Sequence, residues 1–192
     1  MEQKLRLVNQ DLRAFNLETY QGPIRPSCFG TQFGPQQTVD VVFTSDRSAP
    51  QWAQEDSNAG GFLEKFAFEE GVSASASIYV LATPPAPESP AFPGRKRWDE
   101  PILSVATGVG TRELVMRLLV HELAHVRQAW MLPRDFDTQY KNAGPYNGNI
   151  FETAAFSFAD RFVTQYRARI NQGLFDKYLP KWITDAKKPA AP

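Results

Sequence analysis

The pattern of apolar and polar positions separates a first half of the chain with strand-like segments from a second half with helix-like ones. Residues 38–44 (TVDVVFT) are rich in β-branched side chains, and residues 73–82 (SASASIYVLA) alternate before an apolar end, so both predict strands. A third strand is predicted over 101–107 (PILSVAT) and a short helix over 62–70. The segment before residue 38 is expected to be irregular apart from a short helix over 9–17.

Helical patterns dominate after residue 110. Thr111 is a good N-cap for a helix that extends to about residue 130, and Asn149 can cap a long helix over 150–171. Shorter helices are predicted over 133–142 and 174–186. Strands that precede a run of helices are typical of an α+β fold.

The length of 192 residues indicates one domain, expected to span 1–186, with a β-rich part at about 38–107 and a helical part at about 111–186. Residues 83–97 contain five prolines, which donate no backbone hydrogen bond, so this segment predicts a long surface loop. Residues 187–192 (KKPAAP) predict a disordered tail or linker.

The charge balance argues against several classes of function. Lysine and arginine number 21, as do aspartate and glutamate, so the formal net charge is zero and gives no electrostatic footprint for nucleic acid or an anionic membrane. The basic side chains at 95–97 and within 161–169 are short clusters typical of solvated faces. We therefore expect no nucleic acid and no membrane as a partner, whereas a peptide or protein substrate is compatible with this charge. The sequence does not predict an oligomeric state.

The sequence also bears on localisation. It has no run of about 18 apolar residues, the length that a membrane-spanning helix requires. Its first fifteen residues (MEQKLRLVNQDLRAF) lack the apolar region of a secretory signal. We expect a cytoplasmic protein or one exported by a non-classical route.

The strongest chemical signal is the sequence HELAH at residues 121–125. Side chains four apart share one face of a helix, so the imidazoles of His121 and His125 can reach one metal ion. Glu122 is adjacent to His121, where it can handle a water activated by that metal. The chain has only 2 histidines, and chance places them in such a motif in roughly one case in 1,700.

A catalytic zinc ion takes three protein ligands and keeps one position open. Because the motif uses both histidines, the third ligand must be a carboxylate or Cys28. Glu152 is the best candidate, since the small Ala155 and Ala159 on its stripe of the helix allow a close approach to the HExxH helix. The alternatives are Asp135, Asp137 and Asp160, the last also as a residue that orients a ligating histidine.

The segments HELAHVRQ and DFDTQYKNAGPYNGNIFETAAFSFA, within about 114–162, resemble the zinc-metallopeptidase-like domains called DUF4157 and, more broadly, the gluzincins. The shared features are a Val-x-Gln after HExxH, a tyrosine-containing spacer and a Glu-x-x-Ala helix. The resemblance implies a zincin fold, in which a small, twisted, mostly antiparallel sheet lies over the HExxH helix. It implies zinc bound by His121, His125 and Glu152, with Glu122 as the general base.

The resemblance covers about a quarter of the chain. The chain departs from the thermolysin-like pattern at Phe156, which stands where an aspartate follows the ligating glutamate. Domains of the DUF4157 kind are often found in secretion-linked proteins, so the resemblance also implies a possible toxin or effector role.

Two further parts of a peptidase can be sought in the sequence. The oxyanion formed during hydrolysis needs a hydrogen-bond donor besides the metal, and Tyr146 is our first choice. In zincins an edge strand binds the substrate in extended form, and residues 102–107 or 77–81 could do so here. The alternative donors are Tyr140, Arg127 and Arg161.

We therefore expect a zinc-dependent metallopeptidase that hydrolyses peptide bonds through a metal-activated water. One alternative is a non-catalytic zinc-binding module with an interaction or structural role. Another is a metallohydrolase acting on a non-peptide amide or ester. A thiolate from Cys28 in the fourth zinc position would keep such an enzyme latent.

Overall fold

The computed structural model describes residues 1–20, 22, 36–45, 60–69, 72–82, 111–144 and 148–185. Its strands are β1 (Glu2–Val8), β2 (Gln36–Thr44), β3 (Gly61–Glu69) and β4 (Ser73–Leu81). Its helices are α1 (Asn9–Ala14), α2 (Thr111–Met131), α3 (Phe136–Asn142), α4 (Ile150–Asn171) and α5 (Lys181–Thr184), with 3₁₀ turns at Leu17–Thr19 and Asp176–Tyr178. The fold is mixed α+β, as the pattern predicts. The predicted strand 101–107, the loop 83–97 and the tail 187–192 lie outside the described residues.

The four strands form one sheet in the order β1-β2-β4-β3. β1 pairs antiparallel with β2, and β3 pairs antiparallel with β4, but the central pair of β2 and β4 is parallel. The sheet is therefore mixed. Because β4 lies between β2 and β3, residues 77–81 belong to an interior strand, and the prediction that they form a substrate-binding edge is wrong.

Two strands differ from the sequence predictions. The pattern predicts a helix over 62–70, but this segment forms β3, because β4 supplies hydrogen-bond partners that local propensity does not report. The segment before residue 9, expected to be irregular, forms β1. Leu7 of β1 is buried while Lys4 and Arg6 are exposed, so an alternation typical of a strand is visible in the sequence.

The long helices agree closely with the predictions. α4 begins after Asn149, whose Oδ1 accepts a hydrogen bond from the backbone N–H of Phe151 (2.9 Å), and it ends before Gly173, which has a φ of +82°. The predicted continuous helix over 174–186 is wrong, because Pro180 separates a 3₁₀ turn from the short α5. No helix in the described part of the chain is both long and apolar enough to cross a membrane.

α2 is the centre of the molecule, and every residue from 113 to 130 is buried. It packs against β3 and β4 on one side and against α4 on the other. Ala155 and Ala159 of α4 are fully buried, as expected for small residues at a close helix contact. Polar side chains on a helix buried all round must find partners within the protein.

Polar contacts cross the interface between α2 and α4 and fix its antiparallel register. Near the start of α2, Glu113 accepts a hydrogen bond from Asn171 Nδ2 (2.7 Å), and its other oxygen lies 3.2 Å from Nε of Arg167. One turn later, the Arg117 guanidinium forms two hydrogen bonds with the Asp160 carboxylate (2.5 and 3.3 Å). We call these five residues the ion-pair end of the interface.

Candidate metal centre

Three buried side chains converge where α2 meets the first turn of α4. The Nε2 atoms of His121 and His125 are 3.0 Å apart, and they lie 3.3 and 3.2 Å from the two carboxylate oxygens of Glu152. We call these residues the His–His–Glu group. One ligand atom from each lies within 4.8 Å of the other two, so one metal ion could contact all three.

Local structure places each member of the group. His121 and His125 are one turn apart on α2, and their rings stand nearly perpendicular, at 85°. Asn149 fixes where α4 begins, and Glu152 therefore falls in its first turn, where the helix dipole favours a negative charge. Asn149 Nδ2 also donates to the backbone carbonyl of Tyr140 (3.0 Å), which ties α3 to the same helix start.

Burial and mutual contact distribute charge unevenly over the group. Burial lowers the pKa of His121 to about 4, so this ring is neutral at pH 7. Burial also opposes a charge on His125, but its hydrogen bond and Coulombic attraction to Glu152 raise its pKa to about 9. Although burial acts to raise the pKa of Glu152, the two histidines hold that pKa below its ordinary value. The two side chains that carry charge at pH 7 are therefore the protonated His125 and the ionised Glu152, while His121 is neutral.

Gln128 connects the group to two other segments of the chain. Its Nε2 donates to the backbone carbonyl of Phe151 (2.9 Å) and to the Tyr20 hydroxyl, so its Oε1 is the atom that accepts from Nδ1 of His125 (2.8 Å). This hydrogen bond keeps the proton of His125 on Nδ1 and directs Nε2 toward the rest of the group. In the sequence, Gln128 is visible only as part of a Val-x-Gln resemblance, and nothing there points to Tyr20, 108 positions away.

Aromatic side chains enclose the group. The Tyr140 hydroxyl donates a hydrogen bond to Glu152 Oε1, and the centroids of the Tyr140 and His125 rings are 5.8 Å apart. The centroids of the Phe156 and His121 rings are 4.0 Å apart. Nδ1 of His121 is buried and makes no hydrogen bond to the described residues, so this histidine is held by the contacts of its Nε2 and by packing against Phe156.

Glu122 is buried beside the group, with Oε1 4.0 Å from Nε2 of His121. Gly61 of β3 packs directly against it. A Cβ at position 61 would lie 2.5 Å from Glu122 Oε1 and 2.7 Å from the backbone carbonyl of Tyr79, which is closer than side chains tolerate. Glycine thus lets β3 lie against the carboxylate that follows the first motif histidine.

The alternative ligands do not join the group. Asp160 is paired with Arg117, so the suggestion that it binds the metal or orients a histidine is not supported by the geometry. Asp135 and Asp137 are exposed, and the metal-compatible cluster found among the described residues contains neither.

The predicted oxyanion donors have different positions. Tyr140 contacts the group, whereas Arg161 lines a cleft whose described lining contains no member of it. Burial lowers the pKa of Arg127 to about 10, and the carboxylate that opposes this effect is Glu18 of the N-terminal segment. Tyr146 and Cys28 lie outside the described residues.

Comparisons with known proteins do not extend these findings, since no family model, curated protein or solved structure matches the chain. The donor set itself can be tested for its fit to a metal. Two imidazoles and a carboxylate are ordinary ligands of a divalent transition-metal ion. Glu152 Oε2 is buried without a hydrogen bond in the described structure, as suits an oxygen that a metal would contact. The group could therefore hold a metal ion.

Proposed function

We propose that the chain is a zinc-dependent metallopeptidase with His121, His125 and Glu152 as its zinc ligands. The observation that carries the proposal is the spacing of the donor atoms. Two ligands about 2.0–2.1 Å from a tetrahedral zinc ion stand about 3.3 Å apart. The Nε2 atoms of His121 and His125 are 3.0 Å apart, and they lie 3.3 Å from Oε2 and 3.2 Å from Oε1 of Glu152, respectively. Three protein ligands of this kind are typical of catalytic zinc, which keeps a fourth position open.

The neighbouring side chains supply the other parts of a hydrolase. Zinc, when bound, acidifies water and polarises a carbonyl group. Glu122 is placed to take a proton from the attacking water and to deliver it to the leaving amine. Tyr140 replaces Tyr146 as the donor that we propose for the developing oxyanion, and its hydroxyl would have to turn from Glu152 Oε1, to which it donates here, toward that oxygen.

The position of β3 supports a peptide as the substrate. β3 pairs with β4 on one side, and no other described strand pairs with its second side. An extended peptide could add to that side through backbone hydrogen bonds. Gly61 brings the start of β3 against Glu122, so a peptide bound along this strand would pass close to the proposed base. β3 thus takes the role that the sequence suggests for 77–81.

The metal part of the proposal is tested by elemental mass spectrometry on protein purified without chelator. We expect close to one zinc ion per chain, retained in Asp137→Asn and lost in both His121→Ala and Glu152→Ala. Asp137→Asn is the matched control, because it removes an exposed carboxylate near the motif. Zinc that survives in Glu152→Ala would make the assigned third ligand wrong, and a wild-type protein that takes up no zinc would overturn the proposal.

The catalytic part is tested with a library of unstructured peptides. We expect zinc-dependent cleavage by the wild type and a loss of rate of at least about 100-fold in Glu122→Gln, with zinc content unchanged. Zinc binding without cleavage of any peptide would favour a non-catalytic zinc module. Cleavage confined to small amides or esters would favour a metallohydrolase that does not act on peptides.

A further inference from the structure

The two oxygens of the Glu152 carboxylate have different surroundings. Oε1 accepts a hydrogen bond from the Tyr140 hydroxyl and lies 3.2 Å from Nε2 of His125. Oε2 lies 3.3 Å from Nε2 of His121 and is buried without a hydrogen bond in the described structure. One oxygen therefore has a donor within the fold, whereas the other is left for a ligand.

Tyr140 is held in this position by contacts of both its backbone and its ring. Its backbone carbonyl accepts a hydrogen bond from Nδ2 of Asn149 (3.0 Å), the N-cap residue of the helix whose first turn carries Glu152. The ring packs against the rings of Phe136 and Phe151, with centroids 5.7 and 6.0 Å away. The hydroxyl and the carboxylate that accepts its hydrogen bond are thus positioned by the same helix start.

A carboxylate can bind a metal ion through one oxygen or through both. Binding through both is common for cations that take six or more ligands, as calcium does. Zinc in proteins is mostly tetrahedral, and manganese favours octahedral sites rich in oxygen. A hydroxyl that donates to one oxygen occupies a lone pair there, so it favours metal binding through the other oxygen alone.

We propose that Tyr140 makes Glu152 a one-oxygen ligand, bound through Oε2, and thereby favours zinc over divalent ions that need more ligands. This inference rests on the metal site of the proposed function. The observation that carries it is the contrast between a hydrogen-bonded Oε1 and a buried Oε2 without a hydrogen bond. Without the hydroxyl, both oxygens could bind the ion, and the group would offer four donor atoms instead of three. Gln128 orients a ligand, whereas Tyr140 sets the number of ligand atoms.

The test measures metal binding in the absence of substrate. Tyr140 is also the proposed oxyanion donor, so a loss of peptidase activity in Tyr140→Phe would not separate its two roles. The substitution keeps the ring and removes only the hydroxyl. Tyr166→Phe is the matched control, because it removes a hydroxyl that accepts a hydrogen bond from Asn16 Nδ2 (2.8 Å), outside the His–His–Glu group. Far-ultraviolet circular dichroism of both variants should match the wild type.

The first measurement compares the affinities for zinc and manganese(II) by competition with a chromophoric chelator. Tyr140→Phe should weaken zinc binding about tenfold, because the carboxylate loses the hydrogen bond that orients it. Manganese binding should stay unchanged or become stronger, so the preference for zinc falls by at least about tenfold. Tyr166→Phe should leave both affinities at the wild-type values. Equal weakening of both ions, or an unchanged preference for zinc, would overturn the proposal.

The second measurement is the visible absorption spectrum of the protein loaded with cobalt(II), which reports the number of ligands around the ion. Four-coordinate cobalt(II) absorbs strongly in the visible range, and six-coordinate cobalt(II) absorbs weakly. We expect strong absorption in the wild type and in Tyr166→Phe, and weaker absorption in Tyr140→Phe at equal cobalt occupancy. Weak absorption in the wild type, or identical spectra of the wild type and Tyr140→Phe, would overturn the proposal.

The results also separate this inference from the proposed function. A wild type that binds zinc, with a metal preference that Tyr140→Phe does not change, would contradict the role of Tyr140 and leave the metal site standing. A wild type that binds neither zinc nor cobalt would overturn the proposed function and this inference with it.

Discussion

The two ends of the interface between α2 and α4 both contain buried charged groups but differ in their charge balance. At the ion-pair end, Glu113 faces Arg167 and Arg117 faces Asp160, so two negative charges meet two positive ones. At the other end, Glu122 and Glu152 contribute two negative charges, and the only positive charge among their histidine neighbours is that of His125, whose pKa is raised to about 9. The interface therefore balances its charges at one end and lacks one positive charge at the other, and it would lack two once a metal ion displaced the proton of His125.

This difference shows that packing between the same two helices can be complete without a ligand at one end and can leave room for a cation at the other. A buried carboxylate near an arginine has its counter-charge within the fold, and neither group then requires a ligand. Carboxylates and imidazoles that have lost their protons offer lone pairs to a single point in space, and a divalent cation would supply the missing charge. We therefore expect changes at the metal end to alter affinity for a cation, and changes at the ion-pair end to alter stability alone.

The largest effect is expected from removing the cation. Zinc present at about 1,000 times its dissociation constant should stabilise the folded protein by about 4 kcal/mol and raise the Tm by roughly 10 °C over chelator-treated protein. Differential scanning calorimetry with and without zinc measures this shift. His125→Ala, which removes one ligand, should melt at the same temperature in both conditions. A wild-type Tm that does not respond to zinc would contradict the assignment of the metal end.

A smaller effect is expected at Gln128, which contacts the group without belonging to it. Gln128→Leu keeps the shape of the side chain but loses the hydrogen bond to Nδ1 of His125, and zinc affinity should fall about 10- to 100-fold. Gln128→Glu, which keeps an acceptor for Nδ1, should retain more of the affinity than Gln128→Leu. Competition with a chelator measures both variants against Gln172→Leu, a change at an exposed glutamine. Equal affinities in Gln128→Leu and Gln172→Leu would show that Gln128 does not position the ligand.

At the ion-pair end, we expect a substitution to lower the stability of the fold and to leave zinc binding unchanged. The Arg117 side chain is 4% exposed, so Asp160→Asn leaves its charge buried without the partner that balances it. We expect a loss of about 1.5 kcal/mol in the free energy of unfolding, reduced because the Asp160 side chain is itself 46% exposed. Urea denaturation measures the change, and zinc content should remain at the wild-type value. A loss of zinc in Asp160→Asn with stability unchanged would reverse the roles of the two ends.

The smallest effect is expected for an ion pair of similar geometry at the surface of the sheet. Arg6 on β1 binds Asp40 on β2 through two hydrogen bonds (2.7 and 3.0 Å), and these hold the pKa of Asp40 below its ordinary value. A lowered carboxyl pKa stabilises the fold above about pH 4, and this contribution is lost as the pH falls through the pKa of folded Asp40. Asp40→Asn should lower the Tm by only about 1 °C at pH 7, because both side chains are largely solvated.

The difference between wild type and Asp40→Asn should shrink as the pH is lowered through the pKa of folded Asp40, because protonation removes the charge that pairs with Arg6. Thermal melts at pH 7 and pH 2 check this. A surface effect as large as that of Asp160→Asn would mean that burial does not distinguish the two pairs.

The parts of the structure that local signals determine are those that the sequence predicts. The cap at Asn149 and the small residues of α4 lie close in sequence to Glu152, and they place this carboxylate correctly in the first turn of the helix. The conformation of β3 was not predicted, because its phenylalanines favour a strand while its Leu63, Glu64 and Lys65 favour a helix. Pairing with β4 decides between the two. The surroundings of the histidines depend in the same way on contacts between distant segments. Phe156 contacts His121 only because α2 and α4 are antiparallel in this register.

The hydrogen bond between Gln128 and Tyr20 has a consequence for the order of folding. It joins residues 108 positions apart, whereas the helices that carry the His–His–Glu group depend on local contacts and can form early. A chain with α2 and α4 formed but its first twenty residues undocked holds His125 without its orienting partners. In refolding, the helical circular dichroism signal should therefore recover before zinc affinity does, so the proposed metal site would be completed after compaction.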